Sequence, residues 1–296
     1  MEKKYKTEKD PETGLLRIIA LKDFSDVKKG DKGGLIEKET NLSQEGDCWV
    51  YENAKAWDDA FVSGNARITG EAVVLDLALI SGDAEISGNA QVYGHARVFG
   101  NVCVSGFARV SGNAKVYEKA RIFGKAEVYD DAWIYGQAQV YGEARVYDYA
   151  YVYEYGRVYE SAVVCEGARI FGNAEVYEDA QVYGNAVISD NAKVYGWAQV
   201  YGDAQVFGEA RICGHVVILK KAKIRGSVKL WSSSIFTNSK ITTSIKDSKD
   251  YIIFGNNRRE FPIYSSKIKN ITITDIPARD YIKNIKTIRQ IYGEEI

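Results

Sequence analysis

The stretch Ala138-Gln139-Val140-Tyr141-Gly142-Glu143 decides the architecture, because its pattern recurs every six residues over most of the chain. A small residue stands at Ala54, Ala60, Ala66, Ala72 and onward, giving way only at Val102, Gly156, Val216 and Val228. Two places after it stands an aliphatic residue, from Val62 and Ile68 through to Ile224 and Leu230. A register held for about thirty hexads marks a repeat architecture.

Within each unit the small and aliphatic residues alternate with a polar one such as Gln139, Arg145 or Lys193. Period-two alternation means a strand with one buried face. The glycine and the Asn, Asp or Glu after it suit a tight corner. So short a strand cannot bury its apolar edge alone, but stacking successive coils does bury it. Three sides close one coil of eighteen residues. Units such as Gly112-Asn113-Ala114-Lys115-Val116-Tyr117 resemble the hexapeptide repeat of the left-handed parallel β-helix, over residues 51–230. The resemblance implies an all-β solenoid of about ten coils, on the order of 48 Å long at the usual strand spacing. A right-handed β-helix is the alternative, with longer and less regular coils.

The net charge of −1 points to no nucleic acid or membrane partner, but it conceals a polarity. Residues 51–214 carry 13 basic and 22 acidic side chains, and residues 215–296 carry 16 and 7. The basic end could meet an anionic partner or be a solvated surface. Cys48, Cys103, Cys165 and Cys213 show no paired spacing, so free thiols in a reducing cytoplasm are expected, with no metal site and no cofactor. The first residues lack an apolar signal region, and Asp76 interrupts the apolar run from Val73 to Ile80.

Both ends break the hexad. Residues 1–50 are expected to cap the lower end, with a strand over Leu15-Leu16-Arg17-Ile18-Ile19-Ala20-Leu21 and turns at Gly30, Gly33 and Gly34. Trp49 is expected to plug the first coil. Residues 231–296 read as a small αβ module. Its strands lie near Tyr251-Ile252-Ile253-Phe254 and Ile268 to Ile273, and a last helix carries Ile282, Ile285, Ile288 and Ile291. The leader from Ile19 to Tyr51 and the order of elements at the other end are similar to a set of uncharacterised phage and bacterial hexapeptide-repeat proteins. That resemblance implies a phage or mobile-element association.

The best-known members of the resembling fold are acyltransferases with a catalytic His, a loop leaving the helix and a cleft between trimer subunits. Here only His95 and His215 are present, on different corners, and no insertion interrupts residues 51–230. The expectation is therefore no catalytic residue and no enzyme, with a hexapeptide-repeat acyltransferase kept as an alternative.

Specificity is then expected in the outward columns, read in steps of eighteen. One holds Arg121, Gln139, Arg157, Glu175, Lys193 and Arg211, and beside it runs Phe123, Tyr141, Tyr159, Tyr177 and Tyr195. Cations beside rings suit a planar anionic ligand such as a nucleotide, though the rings could simply stack on one another. A second column, with Phe61, Leu79, Trp133, Tyr151 and Val187, reads as an oligomer contact, a trimer being favoured. The corner stack Asp130, Asp148 and Glu166 could share a hard cation or be solvated. The composite expectation is a cytoplasmic, non-enzymatic, rod-like binding or scaffold protein. An oligomer that sequesters nucleotide-type signalling ligands is the second reading.

Overall fold

The computed structural model describes residues 3–231 and, beyond them, the strands Ile235–Thr237, Lys240–Thr243, Ile253–Phe254 and Ile271–Thr274. Each hexad forms a short strand whose second residue faces inward. Gln139–Val140 pairs in parallel with Arg121–Ile122 below and Arg157–Val158 above, so consecutive partners lie eighteen residues apart. Three sheets result, of 14, 12 and 12 strands among the described residues. Face one starts its regular ladder at Lys55–Ala56, face two at Phe61–Val62 and face three at Trp49–Val50.

The interior consists of the repeat's small and aliphatic residues, and Ala138, Val140, Ala144 and Val146 are all 0% exposed. Removing an inner valine side chain from water is worth about 1.5–3 kcal/mol. The same gain recurs in every hexad, and this makes the register cooperative along the axis.

The corners require a left-handed backbone. Gly82, at φ 70°, also leaves no room, because a Cβ there would meet the backbone nitrogen of Gly100 at 2.6 Å. Acidic residues occupy many of the equivalent positions, among them Glu52, Asp76, Glu154 and Asp190, with φ between 53° and 59°.

At the lower end β1 (Tyr5–Lys9), β2 (Leu16–Ala20) and β3 (Lys32–Ile36) form an antiparallel sheet. It joins face one where Leu35–Ile36 pairs in parallel with Lys55–Ala56. Gly33 and Gly34 lie inside β3, not in the expected turn. A Cβ on Gly33 would come within 2.6 Å of both the Ile18 side chain and the Val50 carbonyl, so glycine is needed for close approach. Trp49 is 1% exposed and packs edge-on against Tyr5 and Phe24.

The solenoid outlasts its sequence rhythm. Ile235–Thr237, Lys240–Thr243 and Ile253–Phe254 stack in parallel on the last regular strands of the three faces, giving about eleven coils. The expected break at residue 231 is thus too early, because a parallel ladder needs only backbone donors and acceptors. Ile271–Thr274 then pairs antiparallel with Lys240–Thr243. The helix expected at residues 282–291, and the rest of the αβ module, lie outside the described residues.

Candidate functional site

Face three and the corner joining it to face one hold a cluster of charged and aromatic side chains. Strand pairing aligns Arg157, Glu175, Lys193 and Arg211 in one column. Glu175 is its hub, with a carboxylate 3.7 Å from Arg157, 3.1 Å from Lys193 and 3.1 Å from the Tyr159 hydroxyl that donates to it. Two of the expected ligand-binding cations are therefore partly neutralised. Arg121 and Arg211 are exposed and make no ion pair among the described residues.

The neighbouring ring column is continuous. Phe123, Tyr141, Tyr159, Tyr177 and Tyr195 stack with centroids 4.6–4.8 Å apart and planes within 4°. Each interior ring is covered on both faces by its neighbours, so a planar ligand meets ring edges and hydroxyls there. Burial raises the Tyr141 phenol, and burial assisted by Glu175 raises that of Tyr177 to about 12, so both remain hydroxyl donors.

The sequence reading missed one neighbouring pair. His215 stacks on Trp197 at 4.9 Å with planes 7° apart, and Trp197 is 59% exposed. The signal was present, since these residues are eighteen apart on one corner. His215 follows Arg211 by four residues, on the corner between the strands Arg211–Ile212 and Val217–Leu219. His95 stands on the corner between faces one and two, away from this cluster.

The expected oligomer-contact residues lie on face two. Phe61 and Leu79 are 39% and 40% exposed. Trp133 and Tyr151 are half-buried, their centroids 5.9 Å apart, beneath Lys115 at 4.0 Å and Arg169 at 5.9 Å. Val187 pairs with Arg169 below and Gln205 above. Of the acidic stack, Asp148 accepts a bond from the backbone N–H of Glu166 at 3.3 Å. Among the described residues no group of His, Cys, Asp and Glu is arranged to hold a metal ion. None of their helices is long and apolar enough to cross a membrane.

Residues 60–76, 90–106, 138–154 and 180–196 match the family described as YdcK Beta solenoid repeat. A 38-residue stretch, 13% of this chain, is 55% identical to a protein of Escherichia coli (strain K12) named as the uncharacterized acetyltransferase YdcK, and it spans 12% of that relative's length. Among solved structures, UDP-N-acetylglucosamine O-acyltransferase (LpxA) from Moraxella catarrhalis aligns over 79% of this chain and 86% of its own, at 11% identity and TM-score 0.35. The Arabidopsis UDP-N-acetylglucosamine acyltransferase covers 79% and 85%, at 9% identity and TM-score 0.38. The expectation that the chain is not an enzyme is overturned by the relative named as an acetyltransferase. The uninterrupted repeat and the scarcity of histidine had argued against catalysis. With its eighteen-residue coils and four matched repeat stretches, the chain is a hexapeptide-repeat protein of the left-handed parallel β-helix type.

Proposed function

We propose that the chain is an acyl-group transferase acting between a thioester donor and an acceptor nucleophile. The observation that carries this reading is the stretch shared at 55% identity with a protein named as an acetyltransferase. His215 is the base: histidine exchanges protons near neutral pH, and this one is held by Trp197 beside the cations of face three. The acceptor gives its proton to the His215 imidazole and attacks the thioester carbonyl. The carbon–sulfur bond then breaks, and the imidazolium returns the proton to the departing thiolate.

Face three suits a donor that carries a nucleotide. Arg211, four residues before His215 and in no ion pair among the described residues, would meet its phosphates, with the Tyr177 and Tyr195 ring edges beside it, whereas Arg157 and Lys193 are held by Glu175. Self-association is placed on the lower part of face two, through Phe61 and Leu79, the most exposed of the apolar side chains in that column. A reducing cytoplasm suits the four cysteines, none of which is in a disulfide.

The test is thiol release from acetyl-CoA with a panel of hydroxyl and amine acceptors. Wild type is expected to turn over, and His215→Ala to be about 100-fold slower, in the range of a lost general base. His95→Ala is expected to match wild type. Absence of both coenzyme A binding and thiol release overturns the reading.

A further inference from the structure

Face two differs from its companions in charge. From Phe61 to Arg225 none of its outward strand positions holds a carboxylate, whereas face one has Glu127 and face three has Glu85 and Glu175. It does hold Arg97, Lys115 and Arg169, then Lys223 and Arg225 higher up. None of these five makes an ion pair among the described residues. Lys115 lies over Trp133, Arg169 over Tyr151 and Arg225 over Phe207, contacts that hold the cations in place without cancelling their charge.

The second column of this face is the ladder Phe99, Tyr117, Tyr135, Tyr153 and Phe171, with centroids 4.8–5.1 Å apart. Its inner rings cover one another, leaving outward the Tyr117, Tyr135 and Tyr153 hydroxyls, which have no hydrogen-bond partner among the described residues. Burial pushes the Tyr117 phenol up to about 12, so it stays a donor.

We propose that face two binds an anionic polysaccharide lying along the solenoid axis. Uncancelled cations select for negative charge. The row of phenol donors repeats at the ladder's own interval, 4.9–5.0 Å from Tyr117 to Tyr153, and an extended saccharide chain advances by roughly one such strand spacing per ring. Single-stranded nucleic acid is the less suited polyanion, because it gains much of its affinity by stacking bases on open aromatic faces, and here those faces are covered. Glu118 and Glu154 on one bordering corner, with Asp130, Asp131 and Asp148 on the other, confine an anionic chain to the face. The inference does not depend on acyl transfer, and it leaves Phe61 and Leu79 in the lowest coils free for self-association.

The experiment is calorimetry of the full chain with polygalacturonate oligosaccharides, with dextran as the uncharged polymer and oligo-dT as the nucleic acid. Wild type is expected to bind polygalacturonate in a salt-sensitive way, to ignore dextran and to bind oligo-dT more weakly. Arg97→Gln with Arg169→Gln is expected to weaken binding at least about tenfold, and Arg145→Gln on face one to change it less than about twofold. Lys115→Gln is the second variant should the double variant fail to fold by circular dichroism, and it is expected to weaken binding as well. No binding of polygalacturonate, equal binding of dextran or indifference to the folded face-two variants overturns the proposal. Tighter binding of oligo-dT replaces it with a nucleic-acid surface.

Discussion

The carboxylate of Glu154 accepts a hydrogen bond from the backbone N–H of Gly172, one coil above it, at 2.9 Å. The same bond joins Glu52 to Gly70, Asp76 to Gly94, Glu160 to Glu178 and Asp190 to Gly208. All five acidic residues sit at a corner with positive φ, a conformation that costs a side-chain-bearing residue about 1–2 kcal/mol. A hydrogen bond to a charged acceptor contributes about 1.5–3 kcal/mol, less where both partners are exposed, and so offsets the strain. At these five corners the acidic shaft is thus partly a consequence of corner geometry, since an acid takes the place of glycine and its carboxylate reaches the next coil.

This account ranks two substitutions at one position. Glu154→Gly loses the bond but relaxes the backbone, and should stay within about 0.5 kcal/mol of wild type. Glu154→Ala loses the bond and keeps the strain, so it should cost about 1 kcal/mol or more. Urea midpoints decide the matter, and an alanine variant as stable as the glycine variant contradicts the account.

The hexad made the fold legible because every inner position carries the same requirement. Ala54 and Val62 are buried for the same reason as Ala210 and Ile212, so the reading needed only one rule. The caps were less legible, since their contacts obey no period. Nothing local marks Gly33 as a residue on which the Ile18 side chain and the Val50 carbonyl converge. The site was legible in part. Arg157 and Lys193 were found by stepping eighteen residues, but their shared dependence on Glu175 follows from side-chain reach. The Trp197–His215 pair obeys the same step, but Trp197 interrupts no pattern that would single it out, and the stacking follows from where the two side chains reach.

At the lower end Asp26 accepts two hydrogen bonds from Arg67, both 2.8 Å, and one from the Tyr51 hydroxyl at 2.7 Å. The bonds from Arg67, then from Tyr51, hold its carboxyl far below the ordinary value of 3.8. A depressed pKa in the folded state contributes stability that is present above the unfolded value and lost as pH falls through the folded one. Because Asp26 is half-exposed, the contribution should be no more than about 1 kcal/mol. Asp26→Asn should therefore be less stable than wild type from pH 5 to 8 by roughly that amount, the difference closing in stages below about pH 4. A gap unchanged at pH 2 contradicts the ion-pair account.

Lys4 is 1% exposed, and its ammonium group donates to the carbonyls of Gly46 at 3.1 Å and Cys48 at 2.9 Å, and to the Cys48 thiol at 3.2 Å. Burial pushes the Cys48 thiol up, and Lys4 pulls it part of the way back. Lys4→Ala leaves the buried Cys48 carbonyl without this donor and frees the part-buried one of Gly46, which should loosen the cap by about 1–3 kcal/mol. Labelling with a thiol reagent, followed by peptide mass spectrometry, should show Cys48 protected in wild type and modified at least about tenfold faster in the variant. Equal protection in both means that the cap closes without Lys4.

The stacked pair Trp197 and His215 offers a test that separates positioning from catalysis. The indole covers one face of the imidazole and limits its rotation, so Trp197 should act through His215 and not through the substrate. Trp197→Ala should lower kcat for acyl transfer about tenfold, a modest loss of orientation, with KM for the acceptor little changed. Trp197→Phe retains a ring at stacking distance and should restore most of the rate. A merely structural role predicts something else, namely equal loss in both variants or a fall in stability without a change in kcat per folded molecule. If both variants keep wild-type kcat, the stack is surface packing and Trp197 does not position the base, whose identity then rests on His215→Ala alone.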